Sequence, residues 1–410
     1  MKCPFSSLTD PDTFYPKPPH DWFAHKRQEE PVYWQEDPQS GVGFWVITKH
    51  ADLEFVSKNP KLFSSAERTS LPQEMDDELV EMQRIMMLNM DPPDHLKYRR
   101  IVNKAFVPKV VEHKLSHIRD LAKNIVDKVA DRGECEFVEE VAAELPLQVI
   151  CELMDVPMED RKLIYHNTNI MIGADDPDLS TTEEDGQMAA AEIYAYGYQL
   201  LEKHRANPSD NVIDMLISGT VDGEQLTDDE FAQFFLLLLV AGNETTRTVI
   251  ANGMRLLIEH PDQYQALMND LSLIPNAVEE FLRLEPAVMV FRRTAMDDLE
   301  LGGKQIKKGD KVMMYYTSAN RDEDVFDQPQ KFDITRSNAK EHRAFGIGEH
   351  FCLGSHLARL ELTVMFEELL PRMRNPRFAD EPQRLRSFFL NSMKAMNIKF
   401  DPETESSQVA

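Results

Sequence analysis

One of the four cysteines lies in a segment rich in glycine. Residues 345–354 read FGIGEHFCLG, and the amphipathic pattern after Cys352 predicts a helix over residues 353–370. The amides and positive partial charge at a helix start lower the pKa of a nearby thiol and can donate hydrogen bonds to its sulfur. Glycine also lets the backbone approach a flat macrocycle closely. Cys352 is therefore a candidate thiolate ligand, although a lone cysteine in a turn is more often an ordinary buried thiol.

Polar residues interrupt an apolar segment at residues 241–246, which read AGNETT. A carboxylate at Glu244 and a hydroxyl group at Thr245 need a structural or chemical reason to lie in an apolar environment. A threonine hydroxyl that hydrogen-bonds the carbonyl group of the preceding turn is one sufficient reason. The residues alone leave open whether this segment is a reactive site or a locally adjusted helix.

A long helix must carry this polar segment. Residues 227–230 (TDDE) form a capping-box pattern, and no proline follows until Pro261, so we expect a helix over residues 227–260 that is about 50 Å long. Most other segments between Pro92 and Pro371 also show helical spacing of apolar residues, which predicts a mainly α chain. Residues 43–48 (GFWVIT) predict a strand of a small sheet, and the glycine-punctuated segments that include residues 311–315 (KVMMY) predict a second small sheet.

Composition excludes several classes of function. The formal net charge of -26 argues against binding to nucleic acid or to an anionic membrane as the main activity. The apolar run at residues 234–242 is far shorter than the ~20 residues that span a bilayer, and the N-terminus resembles neither a signal nor a transit peptide. The cysteines form no Cys-x-x-Cys pair, so each is a free thiol or a lone ligand. We expect a cytoplasmic monomer without a membrane span.

The glycine-rich segment resembles the haem loop of the cytochrome P-450 superfamily, which reads Phe-x-x-Gly-x-x-x-Cys-x-Gly. This chain supplies Phe345, Gly348, Cys352 and Gly354 at those positions. The resemblance implies a cytochrome P-450 fold, with a long central helix and small sheets in one domain over residues 1–410. About 20 N-terminal and 9 C-terminal residues would be loosely ordered. It also implies haem b (iron protoporphyrin IX) as the cofactor, with Cys352 as the axial ligand of the iron.

The same resemblance gives a role to the polar segment of the long helix. The family pattern Ala/Gly-Gly-x-Asp/Glu-Thr matches Ala241, Gly242, Glu244 and Thr245. It implies that Thr245 hydrogen-bonds the dioxygen that is activated, while Glu244 relays protons. A local bulge at Gly242 would make room for the oxygen.

Further site residues are carried over by position in the family. Arginine and histidine would face the haem propionates, because a guanidinium group matches a carboxylate in shape and charge. A second group would form a structural ion-pair network, and a third an apolar substrate pocket. The propionate group is His95, Arg99, Arg293 and His350, beside the loop residues Phe345 and Gly346; the network is Glu280, Arg283 and Arg336; the pocket is Met86, Met87, Met90, Met171, Val240, Val288, Met289, Val290, Phe389 and Met393.

A basic stretch stands out in this acidic chain. The segment from Lys97 to Lys114 contains six lysines and arginines, and Glu112 is its one acid. The four basic residues between its ends are Arg99, Arg100, Lys104 and Lys109. A solvated helix face is one explanation. Resemblance to bacterial class I members implies instead that an acidic ferredoxin docks there and passes on electrons from NAD(P)H through a ferredoxin reductase.

The implied reaction is hydroxylation of a C–H bond in a hydrophobic small molecule, with O2 as the co-substrate. Residues 241–247, 167–177 and 207–216 look like those of bacterial members that hydroxylate steroids, terpenoids and branched lipids, whereas residues 391–393 (NSM) depart from that group, in which a glycine is usual. Fatty acids, aromatic compounds and polyketides are alternative substrates. A haem-thiolate enzyme that uses peroxide or isomerises its substrate, and a non-catalytic haem sensor, are alternative functions.

Overall fold

Helices make up most of the computed structural model, which describes residues 6–38, 40–173, 176–179, 182–209 and 211–402. Cys3 and the tail over residues 403–410 lie outside the described residues. The α-helices are α1 His20–Glu29, α2 His50–Lys58, α3 Asp77–Arg84, α4 Asp94–Asn103, α5 Pro108–Glu112, α6 Leu115–Asp127, α7 Glu144–Leu153, α8 Arg161–Ile172, α9 Glu183–Ala206, α10 Val212–Ser218, α11 Asp228–Glu259, α12 Pro261–Asn269, α13 Ile274–Leu284, α14 Tyr316–Ala319 and α15 Ser355–Arg372.

The strands are short and belong to small sheets. They are β1 Val32–Gln35, β2 Phe44–Ile47, β3 Phe63–Ser64, β4 Glu134–Glu136, β5 Thr220–Val221, β6 Glu224–Gln225, β7 Val290–Ala295, β8 Leu299–Leu301, β9 Lys304–Ile306, β10 Lys311–Tyr315, β11 Arg374–Phe378, β12 Gln383–Arg384, β13 Met393–Ala395 and β14 Asn397–Asp401. The largest sheet has the order β1-β2-β10-β7-β3. The predicted mainly α chain with small sheets is confirmed.

The central helix α11 begins where its capping box predicts. The hydroxyl group of Thr227 accepts a hydrogen bond from the amide of Glu230, and the Glu230 carboxylate accepts one from the amide of Thr227. α11 is long and apolar enough to cross a membrane, but 72% of its most apolar stretch is buried inside the protein. It is therefore the core helix around which α7, α9, α13 and α15 pack.

The position of β10 corrects the prediction of a second sheet at that place. β10 pairs in parallel with β2, with Val312 opposite Trp45, so it belongs to the same sheet as the predicted strand over residues 43–48. The neighbouring strands β8 and β9, also in the glycine-punctuated region, form a separate two-stranded sheet. The prediction was wrong because parallel pairing joins residues far apart in the chain, and local sequence carries no signal for it.

Part of the N-terminal segment packs on the largest sheet. Leu8 and Phe14 are fully buried, Phe14 stacks on Tyr315, and the Tyr315 hydroxyl donates a hydrogen bond to the carbonyl group of Leu8 over 3.1 Å. The side chains of Leu8 and Phe14 thus cover part of one face of the sheet, and the loose order expected of the chain ends stays a prediction.

Candidate functional site

The loop that carries Cys352 is shaped by two glycines with positive φ. Gly346 and Gly348 have φ angles of +69° and +77°, and a Cβ atom on Gly348 would lie 2.8 Å from the carbonyl oxygen of Ser57. Other residue types would be strained at both positions. The turn returns the chain on itself, because the amide of Cys352 donates a hydrogen bond to the carbonyl group of Phe345 over 2.8 Å. Helix α15 begins three residues after the cysteine.

Cys352 differs from the other described cysteines in its exposure. Cys135 and Cys151 are buried in the core, where burial raises the pKa of each thiol to about 12. Cys352 is partly exposed. Burial raises the pKa of its thiol as well, although the amide of Gly354 and the guanidinium group of Arg99 act in the opposite direction. The start of α15 thus contributes hydrogen-bond donors to the sulfur, as expected. The pKa of the Cys352 thiol is nevertheless raised, so a positive charge such as a metal ion would favour its thiolate form.

Four basic residues from distant parts of the chain converge beside this loop. His95 and His350 have ring centroids 4.0 Å apart, and Arg99 donates a hydrogen bond to the carbonyl group of Phe351. Arg293 is buried and donates a hydrogen bond to the carbonyl group of Arg292 over 2.6 Å. Burial, together with the positive charges of Arg99 and Arg293, lowers the pKa of His95 to about 4. The electrostatics of the cluster therefore favour an anionic ligand.

This cluster passes a test for the haem group. The Nδ1 atom of His95 is buried without a hydrogen-bond partner among the described residues. Asp91 is the acid whose charge counteracts the lowering of the His95 pKa. An unpartnered buried polar atom at His95 and a buried guanidinium group at Arg293 are costly unless a ligand satisfies them. Carboxylates such as haem propionates fit, and the cysteine sulfur lies beside the same cluster because Arg99 influences both His95 and Cys352.

The hydroxyl group of Thr245 is held by its own helix. It donates a hydrogen bond over 2.8 Å to the carbonyl group of Ala241, and Thr245 is only partly buried. Ala241 is exposed in the middle of an otherwise buried helix, so this face of α11 borders an open space. Because the hydroxyl hydrogen is used within the helix, the oxygen lone pairs of Thr245 are available to accept a hydrogen bond from a ligand.

The predicted bulge at Gly242 is wrong, because α11 is α-helical without interruption from Asp228 to Glu259. Among the described residues, a π-helical segment lies instead at Val138–Ala142. A Cβ atom on Gly242 would lie 2.8 Å from the Cδ1 atom of Ile150 in α7. The glycine therefore permits close packing of α11 on α7.

Glu244 is buried in an ion pair with Arg247, one turn further along α11. The side-chain amide of Asn243 donates a hydrogen bond to its other carboxylate oxygen over 3.0 Å. Arg247 in turn donates a hydrogen bond to Asn169 of α8 over 2.7 Å. Burial raises the pKa of Glu244 and outweighs the lowering by Arg247. The carboxylate therefore has a raised tendency to hold a proton, and its partner links it to α8 rather than to Thr245.

The Glu280 network contacts the segment that precedes the cysteine loop. Glu280 and Arg283 are fully buried and form two hydrogen bonds, from Nε and Nη2 of the arginine, over 2.7 and 2.8 Å. Arg336 donates to the same carboxylate over 3.2 Å. Both arginines also donate to backbone carbonyl groups between residues 320 and 331. The carboxylate thus organises the irregular segment that precedes the cysteine loop.

Sequence reasoning missed the neighbouring carboxylate of Glu279. It receives two hydrogen bonds from Arg359 of α15, over 2.6 and 3.1 Å, and lies 3.1 Å from Nε2 of His342. The Arg359 guanidinium group also lies over the ring of Phe345, 4.5 Å from its centroid. Glu279 therefore ties α13 to both ends of the cysteine loop. The sequence did contain a signal, because Glu279 and Glu280 are adjacent acids in a predicted helix. Adjacent residues of a helix point in different directions, so two such acids need different partners.

The predicted pocket residues divide into two groups. Met86, Met87 and Met393 lie in the core cluster that surrounds α11, and the partly buried Met171 and Val240 pack against it. Met289 and Val290 are fully buried in a different cluster, among the N-terminal aromatic residues. The side chains of Val288 and Phe389 are partly exposed. Met90 is buried, and its carbonyl group accepts a hydrogen bond from His350.

The basic stretch runs from within α4 through α5 and ends at Lys114, one residue before α6. Lys97 is neutralised by Asp94 and Asp222, with ion pairs of 3.0 and 2.7 Å. Arg100, Lys104 and Lys109 are exposed. Helix α5 packs against α15, and Phe351, next to the cysteine, is 39% exposed. These cations therefore share a surface with the Cys352 loop.

A family model and the sequences of known proteins point to the same family. The family model of cytochrome P450 matches residues 43–383. A steroid C26-monooxygenase of Rhodococcus jostii is 40% identical over 96% of this chain and 84% of its own length. A methyl-branched lipid omega-hydroxylase of Mycobacterium tuberculosis is 40% identical over 92% of this chain and 90% of its own length.

Solved structures agree with the helical architecture. A Mycobacterium marinum cytochrome P450 in complex with pseudoionone superposes with a TM-score of 0.87 at 36% identity, covering 93% of this chain and 94% of that one. A Bacillus megaterium cytochrome P450 in complex with testosterone superposes with a TM-score of 0.84 at 30% identity, covering 95% and 99%. The predicted fold is therefore confirmed.

Proposed function

This chain belongs to the cytochrome P450 family, and on that premise we propose that it hydroxylates a steroid or a methyl-branched lipid at an unactivated C–H bond. Its relatives in this family are monooxygenases and hydroxylases, and the chain is a monooxygenase like them. The observation that carries the assignment is the convergence of His95, Arg99, Arg293 and His350 on the loop of Cys352, because two guanidinium groups and two imidazole rings beside a partly exposed thiol are suited to the carboxylates of an anionic metalloporphyrin.

Cys352 would hold the iron of haem b, and the basic cluster would hold the propionates. When bound, the haem supplies the O–O cleavage and the oxidising power that abstracts hydrogen from carbon. The protein supplies the environment. The amide of Gly354 and the guanidinium group of Arg99 stabilise negative charge on the Cys352 sulfur, and the turn from Phe345 holds the sulfur in place.

Thr245 would orient the oxygen substrate through its lone pairs. The hydrogen bond to the Ala241 carbonyl group fixes the hydroxyl group on the open face of α11. Glu244 would supply protons at its carboxyl oxygen, which requires that it leave its ion pair with Arg247. Its raised pKa favours the protonated form that such a transfer needs.

The substrate class rests on the relatives and on the lining of the site. The relatives act on a steroid at C26 and on methyl-branched lipids at the omega position, both terminal carbons of apolar chains. The partly exposed Met171, Val240, Val288 and Phe389 would supply the apolar lining of the site. Burial of an apolar chain there would contribute about 0.8 kcal/mol for each CH₂ group.

Electrons would come from NAD(P)H through a ferredoxin reductase and an acidic ferredoxin. The exposed Arg100, Lys104 and Lys109 lie on helices beside the Cys352 loop, and a negatively charged partner would be steered to them. A monomeric cytoplasmic enzyme is part of this proposal, and the burial of the most apolar stretch of α11 inside the protein is compatible with its location.

The absorption spectrum of the dithionite-reduced protein with carbon monoxide tests the haem assignment. A strongly red-shifted Soret band in the wild type that is lost in Cys352→Ala is expected, with Cys151→Ala as the control because that thiol is buried elsewhere. A band typical of histidine-ligated haem in fresh wild-type protein would overturn it. Spin-state titration and product analysis with a C27 steroid and a methyl-branched fatty acid then test the substrate class.

A further inference from the structure

Asn391 lies between β12 and β13, and it is fully buried. Each of its hydrogen-bonding groups has a partner. Its amide N–H donates to the carbonyl group of Ala287 over 2.9 Å, and its carbonyl group accepts from the side chain of Asn252 over 2.7 Å. Its side-chain Nδ2 donates to Glu285 over 2.7 Å, and its Oδ1 accepts from Arg384.

The charged partners fix the orientation of the Asn391 amide. A carboxylate accepts hydrogen bonds and a guanidinium group donates them, so Nδ2 must face Glu285 and Oδ1 must face Arg384. Glu285 is itself held by Arg255 and Arg321 over 3.1 and 3.4 Å. A buried amide that is satisfied at every atom by such a network has a single conformation and resists displacement.

Asn391 and its neighbour attach the C-terminal segment to the reactive face of α11. The hydroxyl groups of Thr248 and Ser392 form a hydrogen bond of 3.0 Å, and Asn252 holds the backbone of Asn391. Thr248 follows Thr245 by one helical turn, and Asn252 follows Thr248 by another, so the three share one face of the helix. The attachment therefore begins about 4.5 Å along the helix axis from Thr245.

The same residue joins two segments that each carry a residue of the predicted substrate pocket. Besides the hydrogen bond to Ala287, the amide of Met289 donates to the carbonyl group of Phe389 over 2.8 Å, and Val288 and Leu390 form an isolated bridge. The partly exposed side chains of Val288 and Phe389 are thus carried by two backbones held together at Asn391.

From this geometry we propose that Asn391 is a positioning residue for substrate: it sets the distance between the wall formed by Val288 and Phe389 and the hydroxyl group of Thr245. The inference rests on the proposed function for the presence of haem and a pocket at this place. It does not depend on the identity of the substrate. Asn391 touches neither substrate nor haem and acts through the two segments that it joins.

Two haem-binding azoles of different size test this role in the holoenzyme. Imidazole occupies the space next to the iron, whereas 4-phenylimidazole also reaches the pocket wall. In Asn391→Gly and Asn391→Ala, we expect the ratio of the dissociation constants of imidazole and 4-phenylimidazole to fall roughly fivefold, because the wall is no longer held in one position. Asn397→Ala is the matched control, since that amide binds the exposed Asp380 over 3.0 Å and should leave the ratio unchanged.

A merely structural role would lower the melting temperature of the Asn391 variants and leave the azole ratio within about twofold of the wild type, which would overturn the proposal. If these variants do not retain haem, Ser392→Ala removes only the contact with Thr248 and should lower the ratio in the same direction by a smaller factor. An unchanged ratio in Ser392→Ala would then overturn it. Failure of the wild type to oxidise any steroid or branched lipid would contradict the proposed substrate class instead, and would leave the azole ratio measurable.

Discussion

The imidazole rings of His95 and His350 lie against each other, with centroids 4.0 Å apart and planes tilted by 32°. His350 is hydrogen-bonded to the carbonyl group of Met90 over 3.0 Å and lies 3.3 Å from the hydroxyl group of Ser65. Burial lowers the pKa of both histidines, and the neighbouring Arg293 adds to this effect. Two residues far apart in the chain therefore act as one unit beside the cysteine loop.

This contact predicts that the two histidines contribute jointly to haem retention. His95→Ala and His350→Ala should each speed the transfer of haem to apomyoglobin by roughly tenfold, and the double variant should be faster than either but less than the product of the two effects. His113→Ala is the control, because His113 is exposed on the surface of the basic stretch. Exactly multiplicative effects would show that the rings do not act together.

Thr245→Val should separate electron consumption from product formation. The substitution keeps the shape and removes the hydroxyl oxygen that would accept a hydrogen bond, so the fraction of NADH recovered as hydroxylated product should fall by at least about tenfold. Substrate-induced spin shift should change little. Thr246→Val is the matched control, since Thr246 is buried on another face of α11. Equal coupling in Thr245→Val and wild type would remove Thr245 from the reaction.

Glu279 should make the protein sensitive to acid. Burial raises the pKa of its carboxyl group, but His342 and Arg359 lower it more, to about 2. Because the folded pKa lies below the ordinary value of 4.5, the stabilisation is present above pH 4.5 and is lost as pH falls towards 2. Its size at neutral pH is on the order of 3 kcal/mol.

Urea unfolding at a series of pH values measures this effect. Glu279→Gln should be less stable than wild type at pH 7, and the difference between the two should shrink as pH falls below 4.5. Glu29→Gln, at an exposed carboxylate, controls for the general effect of acid. A constant difference between Glu279→Gln and wild type at all pH values would contradict the assigned ion pairs.

Charge reversal on the basic stretch should slow electron delivery. Lys104→Glu combined with Lys109→Glu is expected to reduce the rate of haem reduction by ferredoxin about tenfold at low salt and to weaken its salt dependence. Reduction by dithionite should be unaffected. Lys17→Glu combined with Lys308→Glu makes the same charge change at two exposed residues outside α4 and α5. Equal effects of the two sets of substitutions would argue against a docking surface at α4 and α5.

Local motifs could be read from the sequence because their physical basis is local. The capping box that starts α11 involves residues three apart, and the glycines around Cys352 are required by the backbone angles of one turn. The mainly α architecture follows from apolar spacing within each segment. The long resemblance to one family connected these local features to haem chemistry.

Only the tertiary structure decided which distant residues meet. It placed β10 in the same sheet as β2 and paired Glu279 with Arg359. It also buried Met289 and Val290 among the N-terminal aromatic residues. It also gave Asn391 four partners from three parts of the chain. Such contacts depend on how whole elements pack against one another, and the direction of a side chain across a sheet or a helix is set by that packing rather than by its neighbours in sequence.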